Sequence, residues 1–233
     1  MTTPKKQRRY AGQRRRGIST TQILVVVGVA VLAVALLVIL NIRRAPTGTA
    51  SNLAYPTGVT PEGEPYKGLP DAPLELVEYS DFLCSHCGSF ADTLASLSPD
   101  YIETGKVRVV FRNFAFLAPE SGQAAQAAEC ALDQGAGKFW QYHDLLFANL
   151  GTGLAAYSKP RLEMYARQIG LNAATFRDCL SSGAKAGEVQ ADLDEGKSQG
   201  VEGTPTWFLD GQKLSGELPA DELRQLFDSK LSP

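Results

Sequence analysis

The 233-residue chain is long enough for one ordinary domain with appendages, and its 44% hydrophobic and 21% charged residues exclude a disordered or low-complexity protein. The net charge of −2 hides an asymmetry: residues 1–44 hold nine Lys and Arg and no acid, which leaves 14 basic against 25 acidic residues, about −11, on the remainder. An acidic body repels phosphate backbones, which argues against nucleic-acid binding by the folded part.

In chain order, the basic tail over 1–22 precedes "ILVVVGVAVLAVALLVIL", residues 23–40, an uncharged and almost wholly apolar run. As a helix it rises about 27 Å, enough with its flanks to cross a bilayer core. Seven positive charges before it and Arg43 and Arg44 after it place the tail in the cytoplasm and the rest of the chain outside. A cleavable signal peptide competes, since "GTA" at 48–50 suits a peptidase, but the run is long for one and the arginines sit awkwardly before that site. We expect an uncleaved single-pass anchor in the cell membrane. All four cysteines lie beyond it, in a compartment that permits disulfides. Residues 45–70 are rich in proline and glycine with few large apolar side chains and read as a tether.

From Asp71 the pattern turns strand-like. "LELVEYS", 74–80, is a short apolar-rich strand, a helix follows from about 85 to 103, and "KVRVVFRNF", 106–114, is a second strand. A helical block comes next. "SGQAAQAAECALDQG" stops at Gly135, "KFWQYHDLLFANL" puts Phe139, His143, Leu146 and Leu150 on one face, and "SKPRLEMYARQIG" runs from Ser158 to Gly170. A short helix after Asn172 carries Phe176, Cys179 and Leu180, and "AGEVQADLDEGKSQG" is another. In "TPTWFLDGQKL" a two-residue Asp210-Gly211 turn separates two extended runs, the signature of a hairpin. The closing "PADELRQLF" aligns Leu223, Leu226 and Phe227 on a last helix. The order is β-α-β, a block of helices, β-β, α.

The chemistry concentrates in "FLCSHCGSF", 82–90. Cys84 and Cys87 in a C-x-x-C admit three readings: a redox pair, half a zinc site or an incidental occurrence. Structural zinc wants four ligands, and here Cys130 and Cys179 stand apart while the sole histidines are His86 and His143, so no metal is expected. Between a strand and a helix, Cys84 meets the free N–H groups of the helix start, which favour a thiolate, and His86 adds positive charge nearby. Cys130 and Cys179 fall on apolar faces of the helical block. They are expected to form a structural disulfide, with two buried thiols or a second exchanging pair as the alternatives. Trp140 and Trp207 read as core aromatics, and His143 as a packing or surface residue.

Taken together, "VEYSDFLCSHCGSF", "KVRVVFRNF", "AAECALDQGAGKFWQYHDLLFAN" and "GVEGTPTWFLDG", in this order, resemble the DsbA-like thiol–disulfide oxidoreductases, over about residues 65–231. The resemblance implies an α/β thioredoxin-like fold with an inserted helical domain, here preceded by one N-terminal transmembrane helix. The limits expected are a basic cytoplasmic tail over 1–22, the anchor over 23–40 and a flexible linker over 41–70, from charge and composition, and, from the resemblance, a thioredoxin-like domain over 71–116 and 200–233 with the insertion over 117–199. By the same resemblance Cys84 is the nucleophile, Cys87 the resolving cysteine and Pro205 a cis-proline facing them, while Thr204 offers its backbone to substrate. Ser85 stands where the family often has proline. Glu78 occupies the place where thioredoxin-like proteins often bury an acid, and alternation puts it on the face of Leu74 and Leu76, where it is expected to relay the proton of Cys87, with an exposed strand-end acid as the alternative.

The function expected is an extracytoplasmic disulfide donor for reduced exported proteins, monomeric, with no cofactor beyond its own disulfide and a quinone-linked membrane partner to reoxidise it. A reductase or isomerase on the same fold is the alternative. From another class, the rival is a tethered binding or chaperone module in which the cysteine pair is structural.

Overall fold

The computed structural model describes residues 53–232, so the basic tail, the expected anchor over 23–40 and the first part of the linker lie outside the described residues. Among the described residues no helix is long and apolar enough to cross a membrane.

Six strands form one sheet in the order β1-β2-β4-β3-β5-β6. They are β1 Thr57–Val59, β2 Pro65–Lys67, β3 Leu74–Ser80, β4 Val107–Asn113, β5 Thr206–Leu209 and β6 Gln212–Ser215. β3 and β4 run parallel and every other neighbouring pair antiparallel. The parallel pair is joined by helix α1, Ser85–Tyr101, as the length of a crossover requires. The inserted helices are α2 Pro119–Leu132, α3 Ala136–Ala148, α4 Lys159–Gln168, α5 Ala173–Ser182 and α6 Ala186–Ser198, and α7 Ala220–Leu231 closes the chain.

Strand alternation decides which face carries the main core. Leu74, Leu76 and Glu78 of β3 point into it with Val107, Val109 and Phe111 of β4 and Trp207 and Leu209 of β5. This core continues without a break into the insertion through Phe139, Trp140, Tyr142, Leu146 and Phe176. The β5–β6 hairpin forms as the Asp210-Gly211 pair predicts, both residues having positive φ (47° and 77°), as a type I′ turn demands.

Two boundaries differ from expectation. The segment expected to be linker through residue 70 contributes β1 and β2, with Tyr66 paired to Val110 and Lys67 to Val109. Backbone pairing to the free edge of β4 needs no run of large apolar side chains, and Pro65 sits at a strand start, where its missing N–H is tolerated. The stem of the buried Lys67 supplies apolar surface, and its ammonium lies 4.4 Å from the Trp140 ring centroid. The second boundary concerns α6, expected within the insertion. Its C-terminal half covers the other face of the sheet, where Tyr79, Phe114 and Val201 are buried. Gly196 makes this approach possible, since a Cβ there would stand 2.7 Å from the Phe114 ring and 2.9 Å from the Tyr79 ring.

Candidate active site

β3 ends at Ser80 and α1 begins at Ser85, so residues 81–84 form the turn that presents the first cysteine. Cys84 is the N-cap of α1, with φ −85° and ψ 119°, and its carbonyl accepts from Gly88 N–H at 3.1 Å. Cys87 lies one turn on, wholly buried, and both are free thiols. The Thr204–Pro205 peptide bond is cis. The Thr204 carbonyl lies beside Cys84, whose thiol donates to it at 3.3 Å, while Pro205 is buried at the entry to β5.

The two sulfurs are electrostatically unlike. The Cys87 thiol and the N–H groups of Cys87 and His86 favour a Cys84 thiolate and outweigh its burial, so that its pKa falls to about 5. Burial, the neighbouring Cys84 and the Glu78 carboxylate all push Cys87 far above the ordinary thiol range. Glu78 is buried in β3 between Phe111 of β4 and Trp207 of β5, and its Oε1 has no hydrogen-bond partner among the described residues. Burial raises its pKa to about 7, with Ser80 and the Lys67 ammonium pulling the other way.

His86 is exposed at the rim, its Nδ1 3.1 Å from Glu217 Oε1, and this carboxylate raises the imidazole pKa. A cleft of about 620 Å³ runs from Ser85 and Ser89 along α1 to Lys67 and Asp144. Cys84, Cys87, Glu78, Thr204 and Pro205 therefore meet, with His86 beside them. Cys130 of α2 and Cys179 of α5 belong elsewhere, joined by a disulfide within the insertion with their Cα atoms 5.9 Å apart. His143 is buried against the Phe82, Phe111, Trp140 and Phe147 rings, and burial lowers its pKa. Among the described residues no group of three or more His, Cys, Asp or Glu is placed to hold a metal ion.

Sequence reasoning missed four residues at or beside this site. Lys67 lies in a stretch that reads as tether, while Glu217 and Tyr157 reach the site from distant elements and leave no local signal. Asp81 leaves one: an Asp directly after a strand, able to accept from the N–H two residues on, is the mark of an Asx-turn.

A family model described as thioredoxin matches residues 60–229. Disulfide bond formation protein D of Bacillus subtilis is 25% identical over 173 residues, 73% of this chain and 78% of that protein. The crystal structure of oxidised BdbD from Bacillus subtilis superposes with a TM-score of 0.68 at 25% identity, covering 76% of this chain and 98% of that one. Wolbachia pipientis alpha-DsbA1, at 19% identity and a TM-score of 0.67 over 74% and 93% of the two chains, shares the fold. The Na(+)/H(+) antiporter NhaA 3 of Salinispora tropica is 36% identical over 160 residues, 68% of this chain but 23% of the antiporter, so the match spans about a quarter of that relative's length. The chain thus belongs to the thioredoxin family, and within it resembles the disulfide bond formation protein and the BdbD structure named above.

Proposed function

We propose that the chain is a disulfide donor for reduced exported proteins, with Cys84 and Cys87 as its redox centre. The observation that carries this reading is the placement of the two sulfurs: Cys84 caps the N-terminus of α1, whose first N–H groups favour its thiolate, while Cys87 lies wholly buried one turn on, so the reduced pair is favoured and the disulfide is oxidising. A substrate thiolate attacks Cys84 Sγ of the Cys84–Cys87 disulfide, a substrate–Cys84 bond forms and Cys87 leaves with the electron pair. Glu78, protonated near neutral pH, gives its proton to the Cys87 thiolate and recovers one from solvent. A second substrate thiolate attacks the substrate sulfur and expels Cys84 as its stable thiolate. Two electrons pass to the enzyme and the substrate keeps the disulfide.

Thr204 and Pro205 hold an extended substrate chain beside Cys84, and protonated His86 stabilises the thiolate. Phe116 and Leu117, both exposed and tied to the redox turn, suit a polypeptide with apolar residues near its cysteine. The placement outside the membrane, the anchor over 23–40 and a quinone-linked reoxidant are part of the same proposal, supported by the apolar run and by a Cys130–Cys179 disulfide that needs an oxidising compartment. The test is equilibration of the full-length chain with glutathione, with the thiols trapped and located by peptide mass. A disulfide donor has a potential above about −200 mV, whereas a value below about −250 mV assigns a reductase. A pair that never exchanges leaves the tethered binding module.

A further inference from the structure

The turn that carries Cys84 is held from two directions by groups outside the C-x-x-C motif. Asp81 is buried, and both of its carboxylate oxygens are used. Oδ1 accepts from Leu83 N–H at 2.8 Å, and Oδ2 accepts from Phe116 N–H at 3.0 Å and Leu117 N–H at 3.1 Å. The Asp81 carbonyl accepts from Cys84 N–H at 2.9 Å. From the other side comes Tyr157, buried in the 3-10 turn Leu154–Tyr157 of the insertion. Its hydroxyl lies 3.0 Å from the Phe82 carbonyl oxygen and 3.3 Å from that of Leu146 in α3. Its own carbonyl accepts from Gln123 Nε2 of α2 at 2.8 Å. Each of residues 81–84 therefore has a backbone group fixed.

We propose that Asp81 and Tyr157 are positioning residues for Cys84, locking the 81–84 turn so that its sulfur stays aimed at the first N–H groups of α1, and that Tyr157 makes the helical insertion a working part of the redox site. The proposal rests on the reading of Cys84 as the exchanging thiolate. A helix start favours an anion only within its first turn, so a small rotation of the preceding peptide planes takes the sulfur out of reach of those donors. The plane between Phe82 and Leu83 is held at both of its polar ends, the carbonyl by Tyr157 and the N–H by Asp81. Neither side chain bonds the sulfur, so both act through the backbone.

A merely structural role predicts lost stability without a changed thiolate, and Tyr142 supplies the matched control. Its buried hydroxyl donates to Leu162 O at 2.9 Å inside the same insertion and makes no hydrogen bond to the 81–84 turn. In the test, thiolate absorbance of the reduced full-length chain is followed against pH for wild type, Tyr157→Phe, Asp81→Asn and Tyr142→Phe, with urea unfolding measured alongside. Tyr157→Phe and Asp81→Asn are expected to raise the pH of half-ionisation of Cys84, leaving about tenfold less thiolate at a given pH below it, and to make the pair more reducing against glutathione. Tyr142→Phe is expected to lose comparable stability with an unchanged titration. A wild-type titration in Tyr157→Phe, or an equal displacement in Tyr142→Phe, overturns the proposal. Should Asp81→Asn fail to fold, the two tyrosine variants decide alone. Oxidation of a dithiol peptide by the wild-type disulfide is measured in parallel: its failure sinks the functional reading and this proposal with it, whereas peptide oxidation with unmoved titrations sinks only the proposal.

Discussion

Glu78 Oε1 is a buried acceptor with no partner among the described residues, in a carboxyl whose pKa is lifted from the ordinary 4.5 to about 7. Burial is the leading cause, and it gives chemistry and stability opposite signs. In the proposed mechanism the group passes a proton to or from Cys87 near neutral pH, yet in the unfolded chain it ionises freely above pH 4.5. Its native pKa is raised, so the folded state binds the extra proton between those values and stability falls as pH rises from 4.5 to about 7. The penalty then stays constant at about 3 kcal/mol. Glu78→Gln is expected to remove this slope and to unfold at higher urea than wild type at pH 8. It is expected to slow peptide oxidation on the order of 10- to 100-fold. Urea titrations at pH 4.5 and pH 8 with paired turnover assays check both effects. Glu129, lifted by burial to about 8, adds a similar slope to both proteins and drops out of the comparison.

At the scale of elements, α5 is a short helix that depends on what it is tied to. It has ten residues, buries only Phe176 and Leu180, and is started by Asn172, whose side chain accepts from Ala174 N–H and Thr175 N–H at 3.1 Å each. An isolated helix of that length is marginal in water, so its tie to α2 through the Cys130–Cys179 disulfide carries much of its stability. The linked residues are 49 apart in sequence, which in the chain-entropy model makes the bond worth up to about 4 kcal/mol. A Cys130→Ala, Cys179→Ala double variant is expected to lose up to that amount in urea unfolding. While folded, it should exchange disulfides with glutathione as wild type does, because the proposed redox centre lies at the start of α1 and the turn before β5 and neither linked residue lies there. Lost exchange under conditions where the variant is folded would place the second disulfide in the electron path.

For the whole molecule, what the sequence makes legible is what local pattern determines. The strand at 74–80, the helix from 85 and the Asp210-Gly211 hairpin follow from residue type and spacing alone. So does the inward face of Glu78, two residues from Leu76 on the same strand. β1 and β2 have no such signal, because three-residue strands holding proline and glycine form only where a sheet edge receives them. Tyr157 shares the same difficulty at longer range, since it meets Phe82 across 75 residues. The edge strands yield a test of the domain boundary itself. A fragment of residues 53–233 keeps the hairpin, whereas 71–233 removes it, strips the Lys67 ammonium from Trp140 and leaves β4 with an unpaired edge. The shorter fragment is expected to be less stable by about 3 kcal/mol or more, from one desolvated cation–π contact and the lost ladder bonds, and to associate through that edge. Urea unfolding followed by the fluorescence of Trp140 and Trp207, with sedimentation of both fragments, checks this. Equal midpoints would mean that residues 57–67 drape over a domain complete without them, whereas a destabilised 71–233 makes the hairpin a structural part of the redox domain.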